Sequence, residues 1–427
     1  MRRDDPRLVE VGAKAEAIGP APAQRDAREG APPQPGLEAR LMRRLLASLG
    51  DPALRVELWN GESVATGSGD PVAVVGINSR TALAKLLLHP ELYFGEDYSD
   101  GSIEVEGDLV KLLELVYRGT AGATFPGALF RLAGRRRGNT LSASRENIHH
   151  HYDLGNDFYR LWLDPEMVYT CAYFPAPEAT LEEAQIAKMD HVCRKLSLRQ
   201  GESVIEAGCG WGALAIHMAR RYGVRVRAFN ISHEQIVYAS GRARALGLED
   251  RVEFVEDDYR NIAGRCDAFV SVGMLEHVGL DNYDKLGRVI DACLDGRGRG
   301  LLHSIGRDRP AELNAWIDKR IFPGAYPPTL RQMLSIVEPR EFSVLDVENL
   351  RLHYALTLRH WLRRFEGARD EVARMYDERF VRTWRLYLAG SIAAFDAGAL
   401  QLFQVLFARH SNNVLPWTRE HLYARRD

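Results

Sequence analysis

Val204-Ile205-Glu206-Ala207-Gly208-Cys209-Gly210-Trp211-Gly212 joins an apolar run, patterned like a buried β-strand, to three alternating glycines. Glycine has no Cβ, so Gly208, Gly210 and Gly212 let the backbone turn sharply and approach a ligand closely. The periodic stretch from Ala213 to Tyr222 predicts a helix whose first N–H groups face that turn. Strand, glycine turn and helix in this order make a cradle for a small charged cofactor, unless the turn merely joins two elements tightly.

Neighbouring residues discriminate between cofactors. Gly208, Gly210 and Ala213 also satisfy the loose dinucleotide pattern G-x-G-x-x-G/A. A nicotinamide site requires an acidic residue about 20 positions on to bind ribose. Here the second strand, Val224 to Ile231, ends in Asn230. Glu206, just before the glycines, suits a ligand with an ammonium group. Both features favour S-adenosylmethionine, which has an amino-acid tail and no phosphates.

The 427 residues exceed what one core usually holds, so two domains are expected. A composition of 46% apolar and 27% charged residues is that of a globular chain, and a net charge of −2 argues against nucleic-acid binding. Contact with an anionic surface must then come from local basic clusters. Cys171, Cys193, Cys209, Cys266 and Cys293 form no C-x-x-C pair and no zinc spacing, which predicts reduced thiols, no disulfide and no metal. No apolar run reaches the roughly 18 to 20 residues of a spanning helix. The N-terminus is too charged and Pro-rich for a signal peptide. A cytoplasmic protein, soluble or resting on a membrane, is expected.

Residues 1–36 have few large apolar side chains to offset ordering entropy and read as a disordered arm. From Leu37 a stripe of Leu41, Met42, Leu45 and Leu46 opposes Arg40, Arg43 and Arg44 on a helix stopped at Gly50. Strands at Leu54 to Trp59, Val72 to Ile77 and Gly101 to Glu106 follow, with helices at Thr81 to Leu88 and Leu109 to Tyr117, the second capped by Asp108. Residues 37–120 thus form a small α+β domain. Residues 121–145 read as a linker carrying Arg131, Arg135, Arg136 and Arg137. It is either a solvated hinge or a foot for anionic lipid, where each basic residue contributes on the order of 1 kcal/mol.

Residues 146–427 alternate strands and helices in the manner of an open parallel sheet, a doubly wound α/β fold. The expected strands are Ser203 to Ala207, Val224 to Ile231, Arg251 to Glu256, Asp267 to Val272, Gly300 to Ser304, Phe342 to Glu348 and Leu402 to Ala408. A ligand belongs beyond their carboxyl ends, where Gly208, Asn230, Asp258, Glu276 and His303 fall. Glu276 and His277 directly follow one strand and His303 ends the next. A carboxylate and an imidazole on neighbouring strand ends converge on one crevice, a pairing suited to acid–base work. No third and fourth ligand appear for a metal, and His149, His150 and His151 are adjacent residues that a helix would point about 100° apart.

These segments strongly resemble the cyclopropane-fatty-acyl-phospholipid synthases, S-adenosylmethionine-dependent C-methyltransferases that include the mycolic-acid cyclopropane synthases. The matching stretches are His-Tyr-Asp-Leu-Gly-Asn-Asp-Phe-Tyr (151–159), Val-Tyr-Thr-Cys-Ala-Tyr-Phe (168–174), Gly-Cys-Gly-Trp-Gly (208–212), Asn-Ile-Ser-His-Glu-Gln (230–235), Ser-Val-Gly-Met-Leu-Glu-His-Val-Gly (271–279), Leu-His-Ser-Ile-Gly (302–306) and Ile-Phe-Pro-Gly (321–324). They run in family order across nearly all of the chain after Glu146. Residues 37–120 resemble the sterol-carrier-like N-terminal domain of phospholipid-acting members, a domain the mycolic enzymes lack.

The resemblance implies a seven-stranded Rossmann-like methyltransferase that acts on cis double bonds in the acyl chains of membrane phospholipid. Methyl transfer to an alkene carbon gives a carbocation, which loses a proton and closes to cyclopropane. It further implies a bound bicarbonate as base, held by Cys171, Glu276, His303, Ile305 and Tyr354. For S-adenosylmethionine it assigns Tyr169 and Thr170 to a covering segment and Gly208 and Gly210 to the methionine end. Asn230 and Gln235 fall to the adenosine, with Asp258 and Tyr259 flanking the adenine. Aromatic faces at Tyr169, Tyr173, Phe174 or Tyr354 are expected to stabilise the cation by about 0.5 to 2 kcal/mol each. Thr170, Asn230 and Ala213 replace the Ser, Thr and Gly common among relatives, leaving cofactor binding intact and product chemistry open. A methyl- or methylene-branched chain is the alternative product, and a non-catalytic lipid carrier the alternative of another class. Relatives imply a homodimer, peripheral on the inner face of the cell membrane. The aromatic series Trp361, Phe365, Tyr376, Phe380, Trp384, Tyr387 and Phe395 is expected to line an acyl tunnel.

Overall fold

The computed structural model describes residues 35–120 and 154–423. Most of the expected arm, the basic linker, His149 to His151 and the first residues of the 151–159 segment lie outside the described residues.

The first sheet contains β1 (Leu54–Leu58), β2 (Ser63–Thr66), β3 (Ala73–Ile77) and β4 (Ile103–Gly107) in the order β2-β1-β3-β4. Only the β1–β3 pair is parallel. Alternate residues of β1 and β3 are buried, the period-two pattern of a sheet covered on one face. Asp108 caps the Leu109–Thr120 helix by accepting from Lys111 N at 3.0 Å. The sequence did not reveal β2, which is only four residues long, or the Pro90–Ser99 helix. Pro90 reads as a breaker but occupies the first helical turn, where its missing N–H costs nothing. Within that helix, a Cβ on Gly95 would sit 2.4 Å from the Trp316 ring, so glycine permits the close approach.

The second sheet contains β5 (Ser203–Ala207), β6 (Arg225–Asn230), β7 (Val252–Glu256), β8 (Cys266–Val272), β9 (Leu294–Gly306), β10 (Phe342–Asn349) and β11 (Gln401–Arg409). Its order is β10-β11-β9-β8-β5-β6-β7. Every expected strand is present, although β9 begins earlier. One expectation is corrected: β11 runs antiparallel to both β9 and β10. The unbroken burial of Leu402 to Ala408 marks a strand covered on both faces, but such a run carries no information about direction. Strand order reverses between β5 and β8, which opens a crevice at their carboxyl ends.

The small sheet shares an apolar core with helices of the second part, while the seven-stranded sheet buries two further apolar clusters, one on each face. The Glu378–Asp396 helix packs on the Pro90–Ser99 and Leu109–Thr120 helices, and Arg382 donates from it to Tyr98 O and Ile103 O at 2.6 and 3.0 Å. Phe158 is a hub, with the rings of Tyr159, Trp162, Tyr376, Phe380 and Trp384 between 4.9 and 5.8 Å away. This corrects the expected tunnel, because much of the C-terminal aromatic series fills a core by edge-to-face packing.

Candidate active site

Gly208, Gly210 and Gly212 have φ of +85°, +52° and +80°, a left-handed backbone that L side chains strain to adopt. A Cβ on Gly208 would meet Met274 at 2.8 Å, whereas one on Gly210 would have nothing within 4 Å. Gly208 therefore admits a neighbouring loop, and Gly210 leaves the front of the turn open. Behind the turn Glu206 is buried, and its Oε2 has no hydrogen-bond partner. Burial pushes its carboxyl up to about 8, against the pull of Lys188 and the Ala215 N–H. A buried carboxyl with an uncommitted oxygen fits the ammonium group of S-adenosylmethionine.

Asn230 ends β6 and donates from Nδ2 to Gly210 O at 3.3 Å and to Gln235 Oε1 at 2.7 Å. The two residues assigned to adenosine thus touch each other and the glycine turn. The buried Nε2 of Gln235 has no partner and remains able to donate. Asp258 behaves differently, since its carboxylate accepts from Arg260 N, Nε and Nη2 at 2.9, 2.8 and 3.2 Å and is committed within its own loop. Tyr259 is buried with an unpartnered hydroxyl, its ring beneath the Arg260 guanidinium.

The covering segment is held from below. Tyr169 and Tyr387 share a hydroxyl–hydroxyl bond of 2.7 Å. Thr170 accepts from Lys188 Nζ at 3.0 Å through its side chain and from Gln185 Nε2 at 2.9 Å through its carbonyl. A Cβ on Gly273 would lie 2.8 Å from Thr170 Cγ2, which places the loop after β8 against the cover. Met167 has φ of +57°, an uncommon conformation held in place by Asp164, which accepts from the flanking Glu166 and Val168 N–H groups at 3.0 Å each. Asp164, Gln185 and Lys188 escaped sequence reasoning. The Leu181–Lys195 helix that carries two of them announces itself through the Thr180/Glu183 capping box, but nothing in its pattern marks Lys188 as buried. Burial lowers the Lys188 ammonium to about 8, while Asp164, Cys171 and Glu206 act to raise it.

Glu276 lies in the short turn Leu275–His277 that follows β8. Its Oε1 accepts from Ile305 N at 2.6 Å, its buried Oε2 has no partner, and burial raises the carboxyl to about 7. His303 and Ile305 alternate along β9 and share a face, and Gly273 N donates to His303 O at 2.9 Å. Burial and the nearby Lys188 and Lys195 ammoniums hold His303 down to about 3, so the ring is neutral. Ile305 pairs with Leu402, whose carbonyl accepts from Leu350 N at 2.8 Å. The Leu350 carbonyl in turn accepts from Tyr354 N at 3.1 Å and lies 4.0 Å from Cys171 Sγ. The backbone thereby gathers Cys171, Glu276, His303, Ile305 and Tyr354 at one corner. Burial raises the Cys171 thiol far above its usual range, which removes it as a nucleophile. His277 points elsewhere, 5.8 Å from the Phe322 ring and held neutral by burial.

Two of the expected cation-facing rings are otherwise engaged. Tyr173 is stacked between His191 and His353 at 4.3 and 4.8 Å, and Phe174 lies against His360 at 5.5 Å. The corner as a whole offers a carboxyl that titrates near neutrality, a neutral imidazole and apolar walls, beside a turn suited to a sulfonium donor. A small oxyanion that both donates and accepts fits the free Glu276 oxygen. The Ile305 N–H, however, is already engaged by Glu276.

Residues 139–405 match the mycolic acid cyclopropane synthetase family, and residues 41–124 match a domain of unknown function (DUF7884). The chain is 38% identical over 366 residues to cyclopropane-fatty-acyl-phospholipid synthase of Escherichia coli (strain K12), covering 84% of this chain and 94% of that protein. It is 34% identical to tuberculostearic acid methyltransferase UfaA1 of Mycobacterium tuberculosis, covering 86% and 89%. Mycolic acid cyclopropane synthase CmaA1, solved with SAH and CTAB, superposes with a TM-score of 0.59 at 29% identity, covering 62% of this chain and 98% of that one. With the glycine turn and the carboxyl–imidazole corner in place, these similarities establish that the chain belongs to the mycolic acid cyclopropane synthetase family of S-adenosylmethionine-dependent methyltransferases.

Proposed function

We propose that the protein adds the methyl carbon of S-adenosylmethionine to a cis double bond of an unsaturated acyl chain in membrane phospholipid and closes it to a cyclopropane. The observation that carries this reading is the Glu276 carboxyl, buried at the crevice with one oxygen on Ile305 N–H and the other uncommitted. Such a group can hold a proton acceptor beside a reacting alkene without being exposed to water. S-adenosylmethionine supplies an electrophilic methyl, and Glu206, Gly208, Gly210, Asn230 and Gln235 would hold it. Asp258 and Tyr259 would shape the adenine end, while Tyr169 and Thr170 close over the sulfonium.

The new C–C bond forms as the S–CH3 bond breaks, and the alkene's other carbon becomes cationic. One proton must then leave the added methyl so that its electrons close the ring. Glu276, His303 and Tyr354 would hold a bicarbonate, with Ile305 and Cys171 closing the pocket, and bicarbonate would supply the base. Neutral His303 suits an anion because it carries no competing charge of its own, and the free Glu276 oxygen would accept the bicarbonate O–H, which the amide nitrogen of a glutamine in its place could not do.

Similarity to the Escherichia coli enzyme over 94% of its length supports intact phospholipid as substrate and a lipid-binding role for residues 37–120, with residues 121–145 as a basic linker and residues 1–36 as an arm. Peripheral attachment to the inner face of the cell membrane and a homodimer belong to the same reading. Among the described residues, no helix is long and apolar enough to cross a membrane.

Similarity to tuberculostearic acid methyltransferase favours a second reading, in which the cation shifts a hydride and loses a proton to leave a methylene branch, which becomes a methyl branch only after reduction by a separate hydride donor. Incubation with methyl-labelled S-adenosylmethionine and vesicles of monounsaturated phospholipid separates the two. Upfield ring protons in the product establish cyclopropanation, vinylic methylene signals establish branching, and unlabelled lipid identifies a carrier.

A further inference from the structure

We infer that Gln404 is a positioning residue for His303: its amide fixes which ring nitrogen carries the proton and leaves Nε2–H as the donor at the crevice. Gln404 lies directly opposite His303 in the β9–β11 pairing, where facing side chains of an antiparallel pair meet. Its side chain is fully buried, and its Nε2 lies 3.0 Å from His303 Nδ1. An amide nitrogen can only donate, so Nδ1 accepts, and a neutral imidazole must then carry its proton on Nε2. Burial together with the Lys188 and Lys195 ammoniums keeps the ring neutral, so its tautomer decides its chemistry.

The consequence for reaction is specific. A bare Nε2 lone pair beside a sulfonium methyl and an alkyl cation would itself be a nucleophile open to alkylation. Nε2–H has no lone pair in the ring plane and can only donate to an oxygen of the base. Gln404 sits in a buried row that continues to Glu348, its pairing partner on β10. The Glu348 carboxylate is hydrogen-bonded to His191 at 2.7 Å and ion-paired with Lys195 at 2.6 Å, which anchors the far end of the row.

The inference rests on His303 lying in the reaction site, but its test does not depend on the product. In protein labelled with ¹⁵N-histidine and free of cofactor, the His303 signals, assigned by their loss in His303→Gln, should be those of the Nε2-protonated neutral ring. Gln404→Glu, read at a pH that ionises the new carboxyl, replaces the donor by an acceptor and should move the proton to Nδ1, lowering turnover about tenfold or more with the KM for S-adenosylmethionine unchanged. An Nδ1-protonated ring in the wild type, or an unmoved tautomer in folded Gln404→Glu, would overturn the assignment. If Gln404→Glu fails to fold, the wild-type tautomer decides alone. Full activity in His303→Gln would overturn the proposed reaction site while leaving the tautomer measurement to stand.

Discussion

Glu206 and Glu276 are both carboxyls buried at strand ends, yet their surroundings give them different tasks. Glu206 lies behind the glycine turn with Lys188 nearby, and an arriving ammonium would restore the charge that burial suppresses. Glu206→Gln should weaken S-adenosylmethionine binding by about 10- to 100-fold, the loss of one charged hydrogen bond, as read by calorimetry. Glu276→Gln should leave that affinity nearly intact and cut turnover by about 100- to 10,000-fold.

The pH dependence of stability follows from the same burial. Glu276 is raised from 4.5 to about 7, so the fold favours its protonated form. Stability is therefore full at low pH and falls as pH rises from 4.5 to about 7, because the fold must then bury a charge. Denaturation at about pH 5 and about pH 8 should show Glu276→Gln gaining stability relative to wild type at the higher pH. The sequence made Glu276, His303 and Gly208 legible because strand ends in an open sheet are readable from apolar runs. Lys188, Gln185 and Gln404 were not legible, since long polar side chains on a helix or strand are usually solvated and only the packed structure reveals their burial.

At the level of elements, the segment proposed to cover the cofactor packs against the loop after β8. Gly273 has φ of +74°, and an added Cβ would lie 2.8 Å from Thr170 Cγ2. Gly273→Ala should raise the KM for S-adenosylmethionine, and adding Thr170→Ser, which removes the obstructing methyl, should restore part of the loss. The backbone cost of about 1 to 2 kcal/mol persists in the double variant, and a double-mutant cycle reads the difference. The direction of β11 lay beyond sequence reasoning because burial on both faces erases the alternation that would tell its neighbours apart.

In the molecule as a whole, the small sheet is joined to the methyltransferase by a merged apolar core and by several charged side chains. Arg382 donates to Tyr98 O, Ile103 O and Glu104, and its guanidinium lies 4.4 Å from the Tyr98 ring centroid. Glu96 receives Arg320 through both nitrogens at 2.9 and 2.7 Å. Arg382→Ala should destabilise the protein by about 1 to 3 kcal/mol, because it removes the donors to Tyr98 O, Ile103 O and Glu104, and should speed hydrogen exchange across residues 98–107 more than in β5. The sequence separated the two parts at a charged linker but did not reveal that their apolar cores merge around Trp316 and the Glu378–Asp396 helix.

If a buried carboxyl and a neutral imidazole hold an inorganic base beside the reacting alkene, turnover depends on dissolved bicarbonate. In buffer stripped of carbon dioxide at constant pH, wild-type turnover should be slow and should recover on adding bicarbonate, with no recovery in Glu276→Gln. Equal wild-type rates with and without bicarbonate would refute the bound base.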